Sequence, residues 1–568
     1  MSLLRDAGKG GLVGLYPVRA VFKDPIHVII PVNELEYKIV SHPIFLRLHG
    51  IKQLGFSFLV YPQAKHSRFE HSLGSMHVAY LMAESFKRNC PEALGELVAN
   101  GSYEAFVQLV RLVGLLHDIG HLPYSHATEQ AIEEAYRRGI LEGSLKSFFA
   151  QIVQVESRKL HEGITCWILR RLLARIADTI SLEAERAREI ESLFDAVLHS
   201  LCGTGSGAWT GLFTQEAIRL SRTLVSGQIT DADRMDYLVR DAHNTGATYG
   251  SIDISRLASS IFLKKREGSR ALELVYPAKL ISNIEELYFS RYMMYKWVYF
   301  HHKVSSIELT YRHLLEKIAK QWSALRDSIS TLLPSPPESF WDVFHPESIW
   351  RYTVDLNVPV DDALVESLVK IASNSAKDPV LKSWTRFLFE RRTPFISLTK
   401  RQEVLLTRLA RVFREKGILE GEEVKLALIE LGRKKLSILN RVAETRKCGY
   451  EIISEEIEEH INSRLKDCGV KVRVRVYQPI VGGEAHEPYI DVEGELLPVD
   501  QVSSLIRALH EVGSTPIVYI YLVKEDTRKA SSAAGLSQKI LEALAEYLNE
   551  VERSLIGQGE RKGEKSLH

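Results

Sequence analysis

Three histidine-rich segments constrain this chain more than any other feature: HSRFEHSLG at 66–74, LLHDIGHLPYSHATE at 115–129 and RKLHEG at 158–163. The first precedes, and the second ends, a run of apolar residues spaced three and four apart, the mark of an amphipathic helix. His117 beside Asp118 offers a neutral imidazole nitrogen and a carboxylate oxygen from neighbouring backbone positions. That pair suits iron, manganese or zinc better than soft ions. Further ligands must come from elsewhere. His71 and an aspartate of ITDADRMDYLVRD (229–241) are the candidates, with Asp231 and Asp233 both available. Such a set leaves coordination positions open for water and a substrate oxygen.

The same periodicity runs from about Ser41 to Leu325, clearest in Val107–Leu116, Ile164–Ile176 and Ile281–Leu315, so the fold is expected to be mainly α with a few short strands. Val28–Val32 and Leu272–Tyr276 read as strands. The proline-rich TLLPSPPESF (331–340) predicts a boundary, with a helical lobe after it. Beyond Cys468-Gly469 the pattern changes. VKVRVRVY (470–477), EPYIDVEG (487–494) and TPIVYIYLV (515–523) alternate as strands do, with helices near Val499–Glu511 and Leu536–Leu548. The expected organisation is a core over 1–325, a helical lobe over 326–468, a small α+β unit over 469–556 and a polar, disordered tail over 557–568.

Lys+Arg at 73 against Asp+Glu at 72 leaves a net charge of +1, so no global field favours nucleic acid or membrane, and bound anions must meet local clusters. The KVRVR stretch (471–475) is read as a solvated basic face. The five cysteines are scattered, with no C-x-x-C pair, and suggest neither a disulfide framework nor a thiolate metal site. No apolar run approaches the ~18 residues of a membrane span, and the N-terminal stretch lacks a leader pattern; a cytoplasmic location is expected.

HSRFEHSLG, LLHDIGHLPYSH, LHEG and DADRMDYLVRDAHNTG resemble, in order and spacing, the HD-domain deoxynucleoside triphosphate triphosphohydrolases; FKDPIHVII (22–30) and IKQLGFSFLVYPQA (51–64) fit the same family's opening. The resemblance covers about residues 20–305. It implies an all-helical HD-domain core over 1–325 and a metal held by His71, His117, Asp118 and Asp233, the last preferred over Asp231. It further implies that His126 protonates the leaving oxygen. Arg68, His121 and His161 would act on the phosphates, as would Arg291. Gln53, Leu54, Tyr237 and Asp241 would lie beside the sugar, with Arg234, Tyr295 and Tyr299 as further substrate contacts. The cofactor implied is one divalent transition metal (iron, manganese or zinc), with magnesium on the substrate phosphates. Asp233, Tyr237 and Asp241 fall at i, i+4 and i+8, on one helix face, as do Arg291, Tyr295 and Tyr299. Aligning on His302-Lys303 instead shifts the last register by one, to Phe300. His66 and His77 receive no role, and phosphate contact is the minority reading for His301 and His302.

The implied reaction is hydrolysis at the α-phosphorus, giving a deoxynucleoside and inorganic triphosphate. The resemblance implies a homo-oligomer, dimer or tetramer. Where the family reads an activating guanine nucleotide, this chain has Ala20, Ser41, Leu46 and His49, so that activation is not expected. Two other readings stand beside this one: an HD phosphohydrolase acting on a nucleoside monophosphate, a cyclic nucleotide or a nucleic-acid end, and a non-catalytic nucleotide-sensing scaffold.

Overall fold

The computed structural model describes residues 12–156, 158–179, 184–375, 378–390, 392–419, 421–479, 487–523 and 533–564. Helices dominate it, as the periodicity predicts. The strands are β1 (Leu12–Val13), β2 (Tyr16–Asp24), β3 (Val28–Asn33), β4 (Phe262–Lys265), β5 (Leu272–Pro277), β6 (Phe395–Ser397), β7 (Val472–Tyr477), β8 (Tyr489–Val492), β9 (Glu495–Pro498) and β10 (Ile517–Val523). The helices used below are α1 (Arg68–Asn89), α2 (Tyr103–Leu116), α3 (His126–Arg137), α4 (Leu160–Thr179), α5 (Ala184–Cys202), α6 (Ala232–Thr245), α7 (Gln402–Glu415), α8 (Tyr450–Arg464) and α9 (Ala533–Glu564). Among the described residues no helix is long and apolar enough to cross a membrane.

The chain forms two compact units, and neither is contiguous. The first comprises 1–294, 311–385 and 484–506; the second comprises 295–310, 386–483 and 507–568. This differs from the expected core, lobe and α+β unit. The proline-rich stretch is not a boundary, because the residues after it continue the first unit's core: Phe340, Trp341, Phe344 and Trp350 are all buried. The strand in EPYIDVEG belongs to the first unit as β8, parallel to β5 through Val275↔Tyr489, and not to the sheet of VKVRVRVY. Alternation marks a strand and its buried face but does not encode its partner.

In the first unit α1 begins with a reciprocal cap, in which Ser67 and Glu70 satisfy each other's end of the first turn. From Ala105 to Leu116 every residue of α2 is buried, so α2 is a core helix rather than an amphipathic one. Cys166 on α4 and Cys202 at the end of α5 form a disulfide, 36 residues apart with Cα atoms 5.6 Å apart. The expectation of no disulfide is corrected here: the pairing follows from how α4 and α5 lie together, which spacing does not reveal.

In the second unit β6, β10 and β7 form an antiparallel sheet in the order β6-β10-β7. Val472, Val474, Val476, Val518 and Ile520 pack into one core with α7, α8 and α9. Arg473, Arg475, Tyr477, Ile517, Tyr519 and Tyr521 alternate onto the opposite face. Arg475 is buried beside the Tyr477 ring, and Arg473 pairs with Glu458, so the basic stretch is not simply a solvated face. The α9 helix runs to Glu564, taking in most of 557–568, since a nucleated helix extends at little cost per residue. Residues 565–568 lie outside the described residues.

Candidate metal centre

Four side chains meet where α1, the end of α2 and α6 converge. His71 lies in the first turn of α1 and is fully buried. His117 ends α2, and Asp118 follows it. Asp233 lies in the first turn of α6. His71 Nε2 is 3.1 Å from Asp233 Oδ1 and 3.7 Å from Asp118 Oδ2, and His117 Nε2 is 3.5 Å from Asp118 Oδ1 and 3.7 Å from Asp233 Oδ1. Neighbouring ligands held about 2.1 Å from one ion are separated by about 3.0–3.4 Å, so these spacings fit a shared cation. His117 Nδ1 lies 2.9 Å from the Gly114 carbonyl oxygen, which only accepts, so Nδ1 carries the proton and Nε2 keeps its lone pair. That Nε2 is buried and makes no hydrogen bond, as a ligand atom would. The donor set fits a divalent transition metal.

Asp231 is not part of the quartet. It is the N-cap of α6, accepting from Arg234 N at 2.8 Å and pairing with the Arg234 guanidinium. Helix geometry thus commits Asp231 to its cap and to Arg234, and places Asp233 beside His71 and His117.

Charge around the quartet is arranged by partners that sequence reading missed. Asp236, fully buried, accepts from His71 Nδ1 (2.9 Å), His27 Nε2 (2.7 Å) and Arg240 Nε (2.9 Å); Arg240 Nη1 in turn donates to Asp24 (2.8 Å). Burial pushes Asp236 up, but Arg240, His27 and His71 outweigh it and hold the carboxyl well below its usual range. For His71 burial acts downward, and Asp233 and Asp236 overcome it, raising the imidazole to about 10. Asp24 and His27 sit in the DPIH motif, which was legible as a family signature without a role. Gly74 makes room for this network: a Cβ there would stand 1.9 Å from Asp236 Oδ1.

On the other side of Asp118 a second group of imidazoles gathers. His121 Nε2 is 3.3 Å from Asp118 Oδ1, and the His121 and His161 rings stack at 4.2 Å. Ligand-type atoms of His121, His126 and His161 all lie within 4.8 Å of one another. Glu129, also missed, bridges two of them: it lies 2.9 Å from His161 Nδ1 and 3.2 Å from His126 Nδ1. His121 and His161 are buried, whereas the His126 side chain is 59% exposed. Burial, though partial at its ring, lowers His126; Glu129 opposes this, and Arg68 and His161 add to it. His121 is lowered well below its ordinary value by burial and then by Arg68.

The loop between α2 and α3 is held from three directions. Arg47, buried, donates to the carbonyls of Ile119 (2.8 Å), His121 (3.0 Å) and Val360 (3.1 Å). Asp362 accepts from Tyr124 N (2.6 Å) and from Lys52 N and Nζ (both 3.1 Å). Gly120 lets the loop touch α4; a Cβ there would be 2.3 Å from His161 O and from Thr165 N.

The other sequence candidates distribute as follows. Arg68 donates through Nε to Ser125 Oγ (2.8 Å) and through Nη1 to Asp118, so it reaches the metal carboxylate directly. Gln53 has a buried Oε1 that makes no hydrogen bond, and the neighbouring Leu54 is half-buried. The Tyr237 ring is 6.4 Å from His71, on the α6 face of Asp233. Asp241, one turn further, is buried against His66 Nε2 at 2.6 Å. Arg291 ends its helix, Ile281–Met294, in the first unit, while Tyr295 and Tyr299 belong to the second. Tyr295–Tyr299 is a π-helical turn, closed by Phe300 N to Tyr295 O at 3.0 Å. A π turn takes up one extra residue, so side chains after it are rotated from the face an unbroken α-helix would give them.

Residues 68–237 match the HD domain family. An uncharacterized protein of Methanocaldococcus jannaschii is 32% identical over 285 residues, 50% of this chain and 46% of that protein. YwfO of Bacillus subtilis, also uncharacterized, is 27% identical over 404 residues, 70% of this chain and 77% of that one. The deoxynucleoside triphosphate triphosphohydrolase SAMHD1 of Gallus gallus is 27% identical over 293 residues, 51% of this chain and 44% of that one. Among solved structures, a hypothetical protein from Aquifex aeolicus covers 92% of this chain and 99% of its own with a TM-score of 0.54 at 23% identity. A phosphohydrolase from Bacteroides thetaiotaomicron covers 89% and 99%, also at 0.54, with 21% identity. At these identities the two structures share the fold.

Proposed function

We propose that this chain, whose residues 68–237 match the HD domain family, is a phosphohydrolase that converts deoxynucleoside triphosphates to a deoxynucleoside and inorganic triphosphate. The observation that carries this reading is the pairing of a quartet, with His71 and Asp118 buried and His117 and Asp233 half-buried, with one exposed imidazole beside it. His71, His117 and Asp233 cluster, with Asp118 within 3.7 Å of His71 and 3.5 Å of His117, and of the three further histidines His126 is the exposed one. The name of the chicken relative supplies the substrate class.

His71, His117, Asp118 and Asp233 would hold a divalent metal, which would supply Lewis-acid chemistry toward a phosphoryl oxygen and an attacking water. Arg68 and His121, both at Asp118, stabilise charge developing on the phosphoryl oxygens. Expulsion of the 5′-oxygen requires a proton, and His126 delivers it from its exposed ring; Glu129 holds His126 and His161 in orientation. The buried, unsatisfied Gln53 Oε1 is an acceptor for a sugar hydroxyl. Tyr237 stands on the α6 face that carries Asp233 and closes the sugar side.

The test is to incubate metal-loaded protein with each dNTP and rNTP and identify the phosphorus product. Inorganic triphosphate from dNTPs supports the reading. Pyrophosphate or orthophosphate moves the protein to a different HD chemistry, and absence of turnover with iron, manganese and zinc removes the enzymatic reading.

A further inference from the structure

A concave site in the second unit lies outside everything assigned above. It is a cavity of about 110 Å³ lined by Lys296, Trp297, His301, His302, Lys400 and Arg401, with Gln402, Glu403, Ile517 and Tyr519 completing its wall. Three permanent cations and two imidazoles face one carboxylate, Glu403, which pairs with Lys296. Among the described residues neither Lys400 nor Arg401 has an ion-pair partner, and both are exposed. The Arg401 guanidinium lies 4.0 Å over the Trp297 ring, which fixes its plane and leaves its donor edge free to point at a ligand.

A concentration of like charge on a concave wall raises the local potential and costs stability unless an anion offsets it. The field registers on His302. Burial, followed by His301, Lys400, Lys303 and Arg401, depresses that imidazole to about 4. The volume discriminates among anions. Pockets for whole drug-sized ligands hold ~300–1,000 Å³, so this one admits a single compact anionic group and not a nucleotide. Guanidinium, ammonium and imidazole donors lining one small cavity match a tetrahedral oxyanion with several acceptor oxygens. A nucleic-acid strand instead needs an extended track of cations.

We propose that this cavity is a binding site for one phosphate group, either free or at the end of a small phosphorylated ligand. The proposal is independent of the reaction assigned to the metal centre. His301 and His302 line it, and Trp297 and Arg401 form its wall.

The experiment is calorimetric titration of the full-length, metal-loaded protein with inorganic phosphate and with glycerol phosphate. The comparison proteins are the double variant Lys400→Ala/Arg401→Ala and, separately, Asp233→Ala. Both truncated cations are exposed, so the double variant is expected to melt like the parent. A phosphate-binding event that survives in Asp233→Ala and weakens at least tenfold in the double variant is the expected result. Tighter binding of phosphate or of glycerol phosphate identifies the source of the group, and either supports the site. Affinity unchanged in the double variant, or binding confined to an event lost with Asp233→Ala, overturns the proposal. Acetate binding equal to phosphate also overturns it, because the site would then select charge and not tetrahedral oxygens.

Discussion

At the scale of single residues, Asp236 supports the candidate ligand His71 from behind. It holds His71 Nδ1 at 2.9 Å and so sets the tautomer that leaves Nε2 facing Asp233. Replacing an outer partner of this kind typically costs ~10–100-fold in metal affinity. Asp236→Asn is expected to lose that much, read by metal titration against a chelator. His71, raised to about 10, holds a proton at pH 7 that a metal must displace. Metal uptake at pH 7 should therefore release a proton, and affinity should fall as pH falls; calorimetry in buffers of differing ionisation enthalpy reads both. His126→Ala should keep the metal and lose ~10²–10⁴-fold in kcat. Because His126 lies below 6.5 and acts as an acid, activity should fall as pH rises through its pKa, and that limb should vanish in the variant. Activity that survives the substitution would assign the proton to another group.

At the scale of elements, the loop from His117 to His126 is rigid because three other segments hold its backbone. Arg47 donates to two of its carbonyls, and Asp362 accepts from its Tyr124 amide. Gly120 is the point of closest approach to α4, where backbone atoms cannot yield. Gly120→Ala should destabilise the first unit by about 1–3 kcal/mol and lower its thermal midpoint. Gly95→Ala, whose added methyl would meet nothing within 4 Å, serves as the neutral control. The disulfide between α4 and α5 closes a loop with a sequence separation of 36. On the chain-entropy estimate it contributes about 3–4 kcal/mol. Reduction with dithiothreitol should lower the melting midpoint of the parent and leave that of Cys202→Ser unchanged; equal shifts would mean that the thiols are not bonded in solution.

At the scale of the whole molecule, two units are assembled from interleaved stretches of chain. The first, which carries the quartet, also takes in 311–385 and 484–506. Asp362, far along the chain, is one of the groups fixing the loop beside the metal. Truncation before 326 is therefore expected to cost the active site as well as a peripheral lobe, and a 1–325 fragment should show loss of cooperative melting and of metal binding. The homo-oligomer implied by the family resemblance is a further expectation, and sedimentation of the metal-loaded protein tests it.

The amino-acid sequence by itself determined the helical class and the strands β3, β5, β7, β8 and β10 to within a few residues, and it singled out four side chains that the fold brings near one another. Those are legible because periodicity reports local burial and because His117-Asp118, His71 and Asp233 must be present as residue types whatever the packing. Tertiary structure alone decided the rest. Which strand β8 pairs with, where the units divide, that Cys166 meets Cys202, and that Asp236, Glu129 and Arg47 support the site all depend on contacts between residues distant in sequence. Such contacts leave no spacing to read, since a buried carboxylate or arginine acquires its role from whichever partner packing brings to it.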